Sequence, residues 1–85
     1  MKKLEFMGRL YIVAEWEDYA ILITNADKSE IIKNAGYECR EGKNCIFCTA
    51  IDTSKLEPLG TLLDDVLERF HGKKVRITIE VLDDV

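Results

Sequence analysis

Between residues 4 and 16 the apolar side chains recur on alternate positions: Leu4, Phe6, Leu10, Ile12, Ala14 and Trp16. Glu5, Arg9, Glu15 and Glu17 take the other parity, with Met7, Tyr11 and Val13 between them. Successive side chains of an extended chain point to opposite faces, so this period of two predicts a long strand that buries its even face. Gly8 falls on that face, where a missing Cβ suits a bulge or a close backbone approach. Residues 19–24 are rich in β-formers and apolar on both faces, which predicts a central strand. The short acidic link Glu17-Asp18 makes an antiparallel hairpin the simplest connection between the two. Glu15, Glu17 and Asp18 surround Trp16 and Tyr19 at its tip. That pattern is expected of a solvated turn over a core tryptophan, and partner docking is its functional alternative.

Asp27-Lys28-Ser29-Glu30 predicts a helix start, with Asp27 accepting an early backbone N–H and Glu30 three residues on, as a capping box requires. Ile31, Ile32 and Ala35 then share a face and Gly36 supplies a left-handed stop. Strand pairing through residues 30–33 is the competing reading. Residues 37–44 are polar and turn-like around Glu41-Gly42-Lys43-Asn44, and residues 45–51 predict a third strand. Asp52-Thr53-Ser54 breaks that pattern, and Pro58 fits near a helix start. Leu59, Leu62, Leu63, Val66, Leu67 and Phe70 follow helical spacing, opposite Glu57, Asp64, Asp65, Glu68 and Arg69. Gly72 ends this long helix. Val75, Ile77, Ile79 and Val81 alternate with Arg76, Thr78 and Glu80 in a final strand with one wet face, and residues 83–85 are expected to fray.

The predicted order is β-β-α-β-α-β in one domain spanning residues 1–85. An α+β fold satisfies every apolar stripe: a four-stranded antiparallel or mixed sheet with one long and one short helix on one face. A small β-barrel holding one helix is the alternative. At 85 residues, a chain buries roughly 60–65% of the surface it exposes when unfolded, so the core is thin.

Charge narrows the function classes. The formal net charge is −4, and the basic residues occur singly or in pairs such as Lys2-Lys3 and Lys73-Lys74. Nucleic-acid affinity rests on clustered Lys and Arg that release counterions, so no nucleic-acid partner is expected. The longest unbroken apolar stretch, residues 10–14, is far short of a membrane span, and the first residues carry no signal-peptide pattern. A cytoplasmic protein is the expectation. Asp64-Asp65 and Asp83-Asp84 read as solvated charges rather than magnesium ligands, because adjacent carboxylates on a helix point apart.

Cys39, Cys45 and Cys48 are the chemically pointed residues. An odd number of cysteines without an export signal is expected as free thiols or a metal site. Cys45 and Cys48 form a C-x-x-C pair, Cys39 offers a third sulfur, and His71 is the one histidine able to complete a tetrahedral zinc set. Packed thiols are the plainer alternative, since cysteine is among the most buried residue types. Redox work is a third, with Arg40 and Lys43 able to lower a thiol pKa and Cys39 as a resolving thiol. With Phe47 before the last cysteine, the run resembles the three-cysteine iron–sulfur loop of radical S-adenosylmethionine enzymes. That resemblance implies a cluster with an exchangeable position. It does not extend beyond residues 39–48, its first gap is longer than that family's, and the chemistry needs a large barrel.

No Ser/His/Asp set, Gly-rich phosphate loop or paired general acid and base is visible, so a non-enzymatic accessory or protein-binding module is expected. Homodimerisation through an edge strand is one way it would bind. A small thiol-redox or metal-carrying protein built on the cysteines is the alternative.

Overall fold

The structure is a computed structural model that describes residues 3–82. Strands β1 (Arg9–Ala14) and β2 (Tyr19–Thr24) pair antiparallel along their whole length, from Arg9 opposite Thr24 to Ala14 opposite Tyr19. The Glu15 N–H donates to the Asp18 carbonyl at 2.8 Å, closing a tight turn with Trp16 and Glu17 at its tip. The order then runs α1 (Lys28–Asn34), β3 (Gly36–Tyr37), β4 (Arg40–Glu41), β5 (Ile46–Phe47), β6 (Ala50–Ile51) and α2 (Thr53–Leu56). A 3-10 turn over Glu57–Leu59 leads into β7 (Gly60–Leu62) and α3 (Leu63–Glu68).

The α+β class holds, with more strands than expected. One sheet has five strands in the order β4-β5-β1-β2-β7, and β3 pairs with β6 in a separate two-stranded sheet. The larger sheet is mixed: β1 and β5 run parallel, while its other pairs are antiparallel. It is open, with β4 and β7 as edges.

The core inverts the expected face of β1. Val13 is fully buried and Tyr11 half-buried, whereas Leu10 and Ile12 are 47% and 38% exposed. Residues 10–14 are apolar on both parities, so periodicity alone did not determine the buried side. The partners do: Tyr11 and Val13 lie opposite Leu22 and Ala20. Val13, Ala20 and Leu22 join Ile31 of α1, Ala35 at its C-terminal cap and Leu56 of α2 in one core cluster, with Tyr11 packed against it. A one-position change of parity moves every side chain of a strand to the other face. The even face instead aligns Leu10 with Ile23 and Ile12 with Ile21, a second apolar surface that is only half covered.

One buried polar side chain ties the core together. The Thr24 hydroxyl donates to the Leu59 carbonyl at 2.5 Å and accepts the Ala26 N–H at 2.9 Å. Both groups would otherwise be buried or half-buried without a partner, which is costly.

The expected long helix over the second half is not formed as one piece. Gly60-Thr61-Leu62 pairs with β2, Leu62 opposite Leu22, and leaves α3 only six residues long. A Cβ on Gly60 would overlap the Ile23 carbonyl oxygen, so the close approach of β7 to β2 requires glycine. The helical stripe thus joins two elements. Where the β7 ladder stops, the Asp64 carboxylate accepts the Ile21 N–H at 3.1 Å and fixes α3 beside β2. Asp64 is therefore half-buried and structural rather than a freely solvated charge.

Helix α1 begins where expected, but without the capping box: Asp27 offers its main-chain carbonyl, not its side chain, to Glu30 and Ile31. Gly36 starts β3 rather than a left-handed stop, and a Cβ there would overlap the Ala50 carbonyl oxygen. Gly72, at φ 78°, does reverse the chain after α3. The expected final strand over residues 75–81 has no ladder partner among the described residues, and Val75, Ile77, Ile79 and Val81 are all exposed. The expected fraying of residues 83–85 lies outside the described residues. No helix among the described residues is long and apolar enough to cross a membrane.

Candidate functional site

The three cysteines lie on one interrupted hairpin. Gly36 pairs with Ile51, Tyr37 with Ala50, Arg40 with Phe47 and Glu41 with Ile46, all in one continuous register. The Gly42 N–H donates to the Cys45 carbonyl at 2.8 Å, so Lys43 and Asn44 form the turn. The same register brings Glu38 opposite Thr49 and Cys39 opposite Cys48. Glu38 sits at φ 50°, in the left-handed region, and there the hairpin breaks into its two sheets. The outer half, β4–β5, joins the main sheet through β1. The inner half, β3–β6, stands alone.

Cys39 and Cys48 form a disulfide at this joint, with their Cα atoms 4.0 Å apart. Cys48 is fully buried in the core cluster and Cys39 packs against it half-buried. The Cys48 N–H donates to the Ala14 carbonyl at 2.8 Å, which continues the β1–β5 pairing past Phe47. The bond therefore links the two arms of the hairpin just where Glu38 bends it, and the Cys48 N–H carries that joint onto the central strand. A second tie lies close by in the chain: the Glu15 carboxylate accepts the Ile51 N–H at 2.6 Å, joining the β1–β2 turn to β6.

Cys45 is the free thiol, and it is half-buried. It flanks β5 on the side opposite in sequence to Cys48, an odd number of residues away, so strand alternation puts the two side chains on opposite faces. The expected C-x-x-C pair is thus not a chelating turn. His71 lies in the exposed turn after α3, its N–H donating to the Glu68 carbonyl at 3.2 Å. Among the described residues, no group of three or more His, Cys, Asp or Glu side chains is placed to hold a metal ion. The set Cys39, Cys45, Cys48 and His71 does not fit zinc in this disulfide-bonded form. Two of its sulfurs are spent on each other.

Trp16 is not a core residue. It is 84% exposed and meets Phe47 edge-on, ring centroids 5.2 Å apart. Phe47 precedes Cys48 in the chain, so strand alternation puts the aromatic pair on the outer face and the disulfide on the core face. Leu10, Ile12 and Tyr19 extend the exposed apolar surface from this tip along the even face of β1 and the odd face of β2. The two-residue turn explains the exposure: it lifts Trp16 clear of the sheet instead of folding it beneath. At the other end of the β4–β5 hairpin, Lys28 of α1 pairs with Glu41 at 2.8 Å. The hydrogen bond that Lys28 donates to Glu41, and the charge of that carboxylate, raise the Lys28 pKa above its ordinary value near 10.5. A shallow open cleft of about 420 Å³ runs along the hairpin base, lined in part by Lys33, Tyr37 and Lys55.

Comparison with family models, curated proteins and solved structures finds no match to this chain. The function must be argued from the geometry.

Sequence reasoning missed the disulfide, although a signal for it was present. Cys39 and Cys48 lie at equal distances on either side of the Gly42-Lys43-Asn44-Cys45 turn. A two-residue hairpin loop pairs residues at equal distances from it. The exposed tip was the less favoured of two readings, and periodicity could not separate them.

Proposed function

We propose that the protein is a non-enzymatic binding module that docks a protein partner through the outer face of the β1–β2 hairpin. One observation carries the reading: Trp16, Leu10, Ile12 and Tyr19 form an exposed apolar strip on a rigid, fully paired hairpin. A contiguous apolar surface of this kind marks an interaction site, and a tryptophan at its end is a common energetic anchor. Photo-crosslinking in the producing cell tests it. A benzophenone amino acid replacing Ile12 should capture a protein, and Leu10→Lys should abolish the adduct without altering circular dichroism. A folded protein whose Ile12 position reacts with solvent alone refutes the reading.

One observation favours a second reading, thiol-redox work: the Cys39–Cys48 disulfide with Cys45 left free. An external dithiol would attack the half-buried Cys39 sulfur and release Cys48 as the thiolate. Closure of the reductant's own disulfide would then free Cys39, moving two electrons to the protein. A disulfide that resists a glutathione buffer at cytosolic poise is structural, and that result removes this reading.

A further inference from the structure

Residues 75–81 read Val-Arg-Ile-Thr-Ile-Glu-Val, a strand sequence whose apolar pattern is the same from either end and whose two charges are opposite in sign. The four aliphatic residues are exposed, and no strand among the described residues pairs with them. The edges of the five-stranded sheet, β4 and β7, are two and three residues long. Neither can match a seven-residue strand. A second copy of the same segment can.

Antiparallel pairing of two copies about Thr78 opposes Val75 to Val81, Ile77 to Ile79 and Thr78 to itself. It also opposes Arg76 to Glu80, twice, once on each side of the axis. All the aliphatic side chains then share one face and both ion pairs lie on the other. Moving the axis to Ile77 sets Lys73 against Val81, and moving it to Ile79 sets Arg76 against Leu82. Only the Thr78 axis satisfies every residue of the segment. Such self-complementarity is what a twofold interface demands, because one surface must recognise itself. A lone two-stranded ribbon is marginal, so its apolar face needs cover. Leu67 of α3, also exposed, and half-buried Phe70 lie just before the segment in the chain.

We propose that the protein forms a twofold homodimer through antiparallel pairing of residues 75–81 about Thr78. The proposal uses residues apart from Trp16, Leu10 and Ile12, so its failure leaves the docking reading intact.

The test is sedimentation equilibrium of the full chain over a range of concentrations, on a Cys45→Ser background that prevents disulfide-linked dimers. Arg76→Glu and Glu80→Arg each turn two attractive cross-strand pairs into two repulsive ones. Each should weaken the dimer roughly tenfold or more. The double variant R76E/E80R restores the complementarity and should restore the dimer. An equimolar mixture of the two single variants should form a heterodimer, since each then supplies the charge the other lacks. The core should stay folded throughout, as the segment lies outside it, and any change in circular dichroism should be no larger than loss of the ribbon's own strand signal. A monomer at every concentration, or a dimer indifferent to the single reversals, overturns the proposal.

Discussion

Reduction of the Cys39–Cys48 bond is the perturbation with the most readable consequence. The bond closes a loop with a sequence separation of nine residues. Releasing a cross-link over a loop of that length returns chain entropy to the unfolded state worth about 2.5 kcal/mol. A domain of this size is stable by roughly 5–10 kcal/mol, so the loss is a large share of the total. At about 4–8 °C per kcal/mol, the melting temperature should fall by roughly 10–20 °C. The hairpin itself should survive in the reduced native state, since the β4–β5 ladder and the Gly42–Cys45 hydrogen bond do not depend on the sulfurs. The assay is a thermal melt by circular dichroism with and without a phosphine reductant, paired with alkylation and mass spectrometry of the denatured chain. One alkylated cysteine without reductant and three with it would establish the bond. Three in both states would refute the pairing, and an unchanged melt after full reduction would refute the entropic argument.

The inverted face of β1 predicts that Val13→Asp, which buries a charge in the core, should prevent folding, while Ile12→Asp should leave the circular dichroism spectrum native. Equal tolerance of the two would mean the core lies elsewhere. Thr24→Val leaves the Leu59 carbonyl and the Ala26 N–H unpartnered and should cost about 1–3 kcal/mol in urea unfolding, with Thr24→Ser costing less. For the Lys28–Glu41 pair the folded pKa of Lys28 is raised, so its stabilisation is complete below 10.5 and is lost as pH rises through the folded value. The stability difference between the wild-type protein and Lys28→Met, measured by urea titration, should therefore be present at neutral pH and vanish in strong alkali.

The elements most legible in the sequence were those marked by a local signal: a run of β-formers, a tight turn or a helix start. The β1–β2 pairing and the start of α1 lie where local residues put them, although β1 takes only Arg9–Ala14 of the expected run and α3 stops at Glu68, short of Gly72. The long helix was misread because Leu59 and Leu62 do continue the stripe of α3. They do so by coincidence, across the glycine that lets β7 approach β2. The Cys39–Cys48 hairpin was misread for the opposite reason. Its arms are two residues long on each side of a kink at Glu38, too short for a period of two to register, and Arg40 and Glu41 are exposed. A polar arm beside a turn looks like a loop. Of the candidate site, the sequence drew attention to the three cysteines but not to which of them pair. Their pairing follows from register, and register is a property of two strands together.

These misreadings share a cause in the thinness of the core. Only one side of the β1–β2 pair is sealed, by Ile31, Ala35 and Leu56 from two short helices. Two turns of helix are marginal without tertiary support, so α1 and α2 depend on the sheet they cover. Chains of this size commonly add a cross-link or a second copy because one core supplies too little stability. The cross-link is placed where the hairpin divides into its two sheets, joining one arm to the other beside the kink at Glu38. The apolar material left over, the outer hairpin face and residues 75–81, exceeds what two short helices can cover. If the 75–81 segment pairs between copies, folding and association are linked by mass action, and the melting temperature should rise with protein concentration. Reduction should lower every point of that curve while leaving its slope in place, because the disulfide and the self-complementary segment share no residue.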